Sequence, residues 1–124
     1  MLGKADAVPN VAVKDIDRAR QFYTDKLGLE PAGGEGDEMV TMKSGQSMLN
    51  IYKSEFAGTN KATAVTWSVP DIAEEVRSLK DKGIMFEHYD MPGLKLDGDI
   101  HVAGEMKVAW FKDPDGNILN LVEE

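Results

Sequence analysis

The sequence predicts an α+β fold built from two βαβββ modules, and three observations predict it. First, the chain repeats itself. Val13-Lys14-Asp15-Ile16 returns as Val69-Pro70-Asp71-Ile72, and Asp25-Lys26 returns as Asp81-Lys82, both at an offset of 56. Second, Leu49-Asn50-Ile51 is echoed by Leu119-Asn120-Leu121 at an offset of 70, which places the extra length of the second half between its helix and its last strand. Third, each copy runs from a β-rich stretch into an Asp-capped amphipathic helix and then into further β-rich stretches. Two copies are too few for a solenoid, so they are expected to pair into one pseudo-symmetric domain covering residues 1–124. Module 1 is expected at about 5–54 and module 2 at about 62–123.

In module 1, Val8 to Val13 is a short β-rich run, and Asp15 is a good N-cap for the helix behind it. Ile16, Ala19, Phe22, Tyr23 and Leu27 recur at three- and four-residue spacing and mark one buried helical face, which Gly28 ends. A Gly-rich connection at Gly33, Gly34 and Gly36 follows. Met39 to Met42 and Met48 to Tyr52 then read as strands, with Ser44-Gly45-Gln46 as the turn between them.

In module 2, Ala64 to Val69 reads as a strand and Asp71 as the N-cap, with Glu74 completing an Asp-based capping box. Ile72, Val76 and Leu79 form the apolar stripe, and Gly83 ends the helix. Strands are expected near Ile84–Tyr89, Lys107–Phe111 and Ile118–Val122, and Asp113-Pro114-Asp115-Gly116-Asn117 is a strong turn between the last two. The polar, Gly-punctuated stretch from Asp90 to Glu105 reads as a long loop or weak hairpin, and Ser54 to Lys61 as the linker between modules.

Composition narrows the function classes. The chain of 124 residues has no cysteine, which excludes disulfides, thiolate metal sites and cysteine nucleophiles. A formal net charge of −8 disfavours nucleic acid and anionic membranes, whose recognition rests on Lys and Arg contacts with phosphate. Such a charge aids solubility and also suits a cationic ligand. The start of the chain carries no apolar leader run, and no stretch approaches the roughly 20 apolar residues of a spanning helix. The expectation is a cytoplasmic protein with no membrane partner.

The βαβββ duplication, the pattern Val13-x-Asp15-Ile16 with Phe22-Tyr23 and Leu27-Gly28, and the run Trp110-Phe111-Lys112-Asp113-Pro114-Asp115-Gly116-Asn117 together resemble the vicinal oxygen chelate superfamily. That group contains glyoxalase I, bleomycin-resistance proteins, extradiol dioxygenases and fosfomycin-resistance enzymes. The resemblance runs from about Ala7 to Glu123 and implies sheets curled into a shared cup, helices outside, and pairing as a homodimer. In the enzymes of the group, His, Gln or Glu side chains from four strands bind a divalent metal inside the cup. Carried over by register, those positions are Val8, Asn50, Ala64 and Asn120, and the offsets of 56 and 70 recur between them. Valine and alanine have no donor atom, and asparagine offers only a neutral oxygen. Zn, Ni and Fe sites are made from imidazole, thiolate and carboxylate. The expectation is therefore no metal, no other cofactor and no inherited catalytic residue.

Strand alternation puts Met48, Asn50 and Tyr52 on one face and Leu49 and Ile51 on the other. Asn120 is separated from Leu119 and Leu121 in the same way. The resemblance turns Trp110 toward the cup and Phe111 toward the helix, with Thr41 as the counterpart of Trp110 in module 1. The candidate ligand-binding residues are Asn50, Asn120, Trp110, Tyr52, Met48 and Thr41. Thr66 and Ser68 would join Ala64 on the same face. An alternative stays open, in which Asn50 and Asn120 bond only to each other or to water.

His88 and His101 lie in or beside the acidic stretch and match no metal-ligand spacing, so a solvated or ligand-contacting role is expected of them. The segment from Asp113 is no calcium loop, because the sixth position needs Gly and Ile118 stands there. The leading expectation is a small-molecule-binding module without a metal, its partner a small organic molecule, aromatic or cationic. The competing one is a lyase, isomerase or dioxygenase-type enzyme whose catalytic or metal-binding groups have moved, with His88 and His101 as the candidates. An interaction module without a ligand is the third.

Overall fold

The structure is a computed structural model that describes residues 1–34 and 36–123. The chain forms two compact units, Met1–Gly58 and Thr59–Glu124. Each carries one sheet and one main helix, an α+β architecture in which neither sheet closes into a barrel.

Module 1 follows a short 3-10 turn at Leu2–Lys4. Its strands are β1 (Asn10–Val13), β2 (Glu30–Gly33), β3 (Met39–Ser44) and β4 (Ser47–Lys53), ordered β1-β4-β3-β2, with β1 parallel to β4. The expected first strand is two residues shorter at its start. Pro9 has no N–H to give a ladder, although its carbonyl still accepts the Asn50 N–H at 2.9 Å. Val8 therefore lies outside β1 and is 39% exposed. The strand β2, which sequence reading left as connection, is wholly exposed and pairs with β3 through an irregular register.

Helix α1 (Ile16–Gln21) is capped by Asp15, whose side chain accepts the Arg18 N–H at 3.2 Å. It then continues as one π-helical turn, Phe22–Lys26. Ile16, Ala19, Phe22 and Tyr23 are buried as the spacing predicts, and Phe22 meets Tyr23 edge to face at 5.1 Å. Beneath them lie Val11, Val13, Val40, Met42, Leu49 and Ile51, each no more than 5% exposed. The chain turns from β2 toward β3 at Gly34. There φ is +109°, and an added Cβ would sit 2.5 Å from the Val40 Cα. Only glycine fits that close approach of two backbones.

Module 2 holds β5 (Thr63–Ser68), α2 (Ile72–Asp81), β6 (Phe86–Glu87), β7 (Lys95–Asp97), β8 (Ile100–Ala103), β9 (Met106–Lys112) and β10 (Ile118–Glu123). The sheet order is β5-β10-β9-β8-β7, with β6 also pairing β9. Ile72, Val76 and Leu79 of α2 are buried, and Leu119, Leu121, Ala109 and Phe111 supply the buried sheet residues. Phe111 stacks on Trp67 at 6.5 Å and meets Phe86 at 5.6 Å. Asp71 accepts the Glu74 N–H at 3.2 Å, and a second carboxylate, Glu123 from β10, accepts the Ile72 N–H at 2.9 Å. Two anions thus sit where the first amides of α2 are unsatisfied.

The expected strand Ile84–Tyr89 shrinks to Phe86–Glu87, and the stretch that reads as a long loop or weak hairpin forms the β7–β8 hairpin. A Gly-Asp turn shapes that hairpin: Asp97 pairs with Ile100 across it, and Gly98 takes φ +64° at its first position. The turn between β9 and β10 is built as the sequence reads. Asp113 Oδ1 accepts the backbone N–H of both Asp115 and Asn117 at 2.9 Å, and Asn117 Nδ2 donates to Asp113 Oδ2 at 2.8 Å. Among the described residues no helix is long and apolar enough to cross a membrane.

Candidate functional site

The six candidate residues divide between the modules, and in each the pleat sets the same local pattern. In module 1, Thr41 on β3 stands directly opposite Asn50 on β4, and Thr41 Oγ1 donates to Asn50 Oδ1 at 2.8 Å. Met48 and Tyr52 flank Asn50 on the same face, 39% and 38% exposed, while the intervening Leu49 and Ile51 are buried. In module 2, Trp110 on β9 stands opposite Asn120 on β10. Thr41–Asn50 and Trp110–Asn120 are therefore equivalent cross-strand pairs of the two copies. On the far side, Asn50 neighbours Asn10 of β1, and Asn120 neighbours Thr66 of β5.

The environments of the two amides differ sharply. Asn50 is half-buried, whereas Asn120 is 8% exposed and its Oδ1 is buried with no hydrogen-bond partner. Trp110 is held on several sides. Its Nε1–H donates to Thr63 Oγ1 at 3.1 Å, and its ring meets His101 at 4.9 Å and Tyr89 at 5.3 Å, both edge to face.

Sequence reading left His101 in a loop, yet it is the second residue of β8 and is completely buried. It pairs with Val108, two residues before Trp110 on β9, so it shares the face of Trp110. Its Nε2 accepts the Tyr89 N–H at 2.9 Å, while Nδ1 has no partner. Tyr89 stacks on it at 6.1 Å, and the Tyr89 hydroxyl is likewise buried without a partner. Burial above all, and then the charge of Glu87, raise the Tyr89 pKa, against an opposing pull from Lys112. The phenol stays protonated at neutral pH. The hairpin signal Leu96-Asp97-Gly98-Asp99-Ile100 was the feature that could have placed His101 on a strand. Nothing in the sequence marks Tyr89.

His88 lies outside this cluster's polar core. Its Nε2 lies 2.8 Å from Asp99 Oδ1, and Lys80 Nζ donates to Asp99 Oδ2 at 2.7 Å. Module 1 also has an open cleft of about 340 Å³ lined by Lys14, Asp15, Ile16, Asp17, Asp37 and Lys53. It is of mixed charge, and none of the six candidates lines it.

The positions that the resemblance assigns to a metal do not fit one. Val8 lies before β1, and Ala64 on β5 has no donor atom. Asn50 Oδ1 is engaged by Thr41, and Asn120 adds one neutral oxygen. Such a set lacks the imidazole, thiolate or carboxylate that holds a transition metal. Among the described residues no three His, Asp or Glu side chains gather where a metal ion could be held.

Comparison with known proteins agrees with this architecture. Residues 7–121 match the glyoxalase/bleomycin resistance protein/dioxygenase superfamily, and the chain belongs to it. The protein YurT of Bacillus subtilis (strain 168) is 25% identical over 134 residues, covering 94% of this chain and 97% of its own length. Among solved structures, lactoylglutathione lyase from Agrobacterium tumefaciens superposes with a TM-score of 0.72 at 20% identity, covering 97% of this chain and 93% of that one. TnmS3, an antibiotic-binding protein from Streptomyces sp. CB03234, superposes with a TM-score of 0.67 at 17% identity, covering 99% and 98%. At those identities the likeness shows the fold alone.

Proposed function

We propose that this chain is a small-molecule-binding member of its superfamily that works without the metal chemistry of the enzymes. The observation that carries the reading is the face of module 2. There an amide oxygen, an imidazole nitrogen and a phenol hydroxyl are buried without partners around Trp110. Apolar and aromatic walls with a few neutral hydrogen-bonding groups suit the holding of an organic molecule. The corresponding face of module 1 offers Asn50, Thr41, Met48 and Tyr52 in the same style. The likeness to an antibiotic-binding protein supports this reading, and so does the unsuitability of Val8, Asn50, Ala64 and Asn120 as metal ligands.

In module 2 Trp110 would contribute ring contact and Asn120 an amide hydrogen bond, and in module 1 Asn50 would offer a bond of the same kind. Met48 and Tyr52 would add apolar and edge contacts. The acidic balance of the chain would favour a cationic member among aromatic ligands. The setting we propose is cytoplasmic and the assembly homodimeric.

Titrating the intrinsic fluorescence of the protein with a panel of aromatic and cationic antibiotics and metabolites tests the reading. Saturable binding is expected, and Trp110→Ala should weaken it at least tenfold, the effect of losing a buried aromatic contact of about 1.4 kcal/mol or more. A panel that gives no saturable binding, or binding indifferent to Trp110→Ala, defeats it.

An enzymatic reading rests on His101, whose buried ring beside Trp110 is the one imidazole on this face. A stoichiometric transition metal in tag-free protein purified without chelator would favour it.

A further inference from the structure

Three polar atoms on one face of module 2 are buried and unpartnered: Tyr89 Oη, His101 Nδ1 and Asn120 Oδ1. Buried hydrogen-bonding groups are nearly always satisfied, because leaving one unmade forfeits its hydration with no return. Each therefore calls for a partner, and Trp110 stands beside all three residues. The state of His101 follows from the bond it already makes. Nε2 accepts the Tyr89 N–H, so it carries no proton, and the neutral ring must carry its hydrogen on Nδ1. His101 Nδ1 is thus a donor in this arrangement. The Tyr89 phenol, kept protonated by its burial, is a second donor. Both are uncharged, and both rings contact the indole of Trp110.

We propose that this corner receives an aromatic molecule bearing a carbonyl oxygen, which accepts hydrogen bonds from His101 Nδ1–H and Tyr89 Oη–H while its ring lies against Trp110. The inference rests on the small-molecule-binding reading above and names the ligand class of that site. An ester, ketone or quinone oxygen meets the requirement. A purely hydrocarbon ligand would leave both donors as orphaned as before, and any cationic group on the ligand would have to lie away from these two donors. Asn120 Oδ1, the one orphan acceptor, is placed for a hydroxyl or N–H substituent on the same ligand.

Tyr89 sits between β6 and β7, on a stretch that turns through Gly93 at φ +83° with Leu94 N–H bonded to Met91 at 3.1 Å. The stacked Tyr89 and His101 rings and the Tyr89 N–H bond hold that stretch in place.

The test compares 2-acetylnaphthalene with 2-isopropenylnaphthalene, which has the same shape with a CH₂ in place of the oxygen. Calorimetry on the full chain should show the ketone binding about tenfold more tightly, the worth of one or two neutral hydrogen bonds in a dry site. Tyr89→Phe should erase most of that preference. It should also raise the melting temperature, since it removes a buried hydroxyl that bonds to nothing in the free protein. Nitrogen NMR should find the His101 proton on Nδ1, with its resonance displaced by the ketone and not by the hydrocarbon.

Equal affinity for the two naphthalenes overturns the inference and leaves the binding reading intact. That is also the result expected if only buried water satisfies the three atoms. A ketone preference that survives Tyr89→Phe, or a His101 proton found on Nε2, overturns it too. If neither naphthalene binds, the inference fails, and the antibiotic and metabolite panel alone decides whether the broader reading fails with it.

Discussion

Single residues carry most of the local logic, and Asp113 shows how far. It is 5% exposed, and one oxygen of its carboxylate accepts two backbone N–H groups while the other takes the Asn117 amide. The turn Asp113-Pro114-Asp115-Gly116-Asn117 can be read from sequence because these bonds all lie within five residues. Asp113→Ala should cost about 2–3 kcal/mol, since it orphans two backbone donors and a buried amide together. Urea unfolding with an unchanged m-value would check that, and a loss below about 0.5 kcal/mol would show the turn holds without its carboxylate. His101 is the opposite case. Its burial depends on what Tyr89 and Trp110 do many residues away, and no local pattern encodes that.

At the scale of elements, the two helices are capped as their Asp residues announce, but α2 is also tied down by partners far along the chain. Glu123 reaches its first turn from β10, and Lys80 near its end binds Asp99 at the β7–β8 turn. Hydrogen bonds from Lys80 first and His88 second hold the Asp99 carboxyl below its ordinary pKa. The sign follows from linkage. The folded state favours ionised Asp99, so this contribution is fully present above the ordinary carboxylate range near 3.9 and is lost as pH falls through the lower folded value. Asp99→Asn should therefore lower the melting temperature at pH 7 and narrow the gap to the parent at pH 3. A gap that is the same at both pH values would remove Asp99 from the acid response. The pair is partly solvated, so the effect should be modest and weaken with salt.

At the scale of the whole molecule, the duplication organises everything. Offsets of 56 and 70 in the sequence become matching cross-strand pairs, Thr41 with Asn50 and Trp110 with Asn120. The proposed homodimer belongs to this scale. Sedimentation equilibrium should give twice the mass of a 13.6 kDa chain at micromolar concentration, and a concentration-independent monomer would refute it.

By itself the sequence determined the duplication, the superfamily, the helix caps, the Asp-Pro-Asp-Gly-Asn turn and the faces of β3, β4, β9 and β10. Those depend on periodicity and on bonds between near neighbours, which a linear pattern records directly. It also determined that the residues standing at the metal positions are chemically unsuited to a metal. Only the tertiary structure decided that Val8 falls outside its strand, that Glu123 completes the α2 cap and that, of loop or hairpin, the Asp90–Glu105 stretch forms a hairpin with His101 buried on β8. It alone gathered Tyr89, His101 and Asn120 around Trp110. Burial and hydrogen-bond satisfaction are set by which distant segments meet, and that information lies in the packing of the sheet, not in the spacing of residues along the chain.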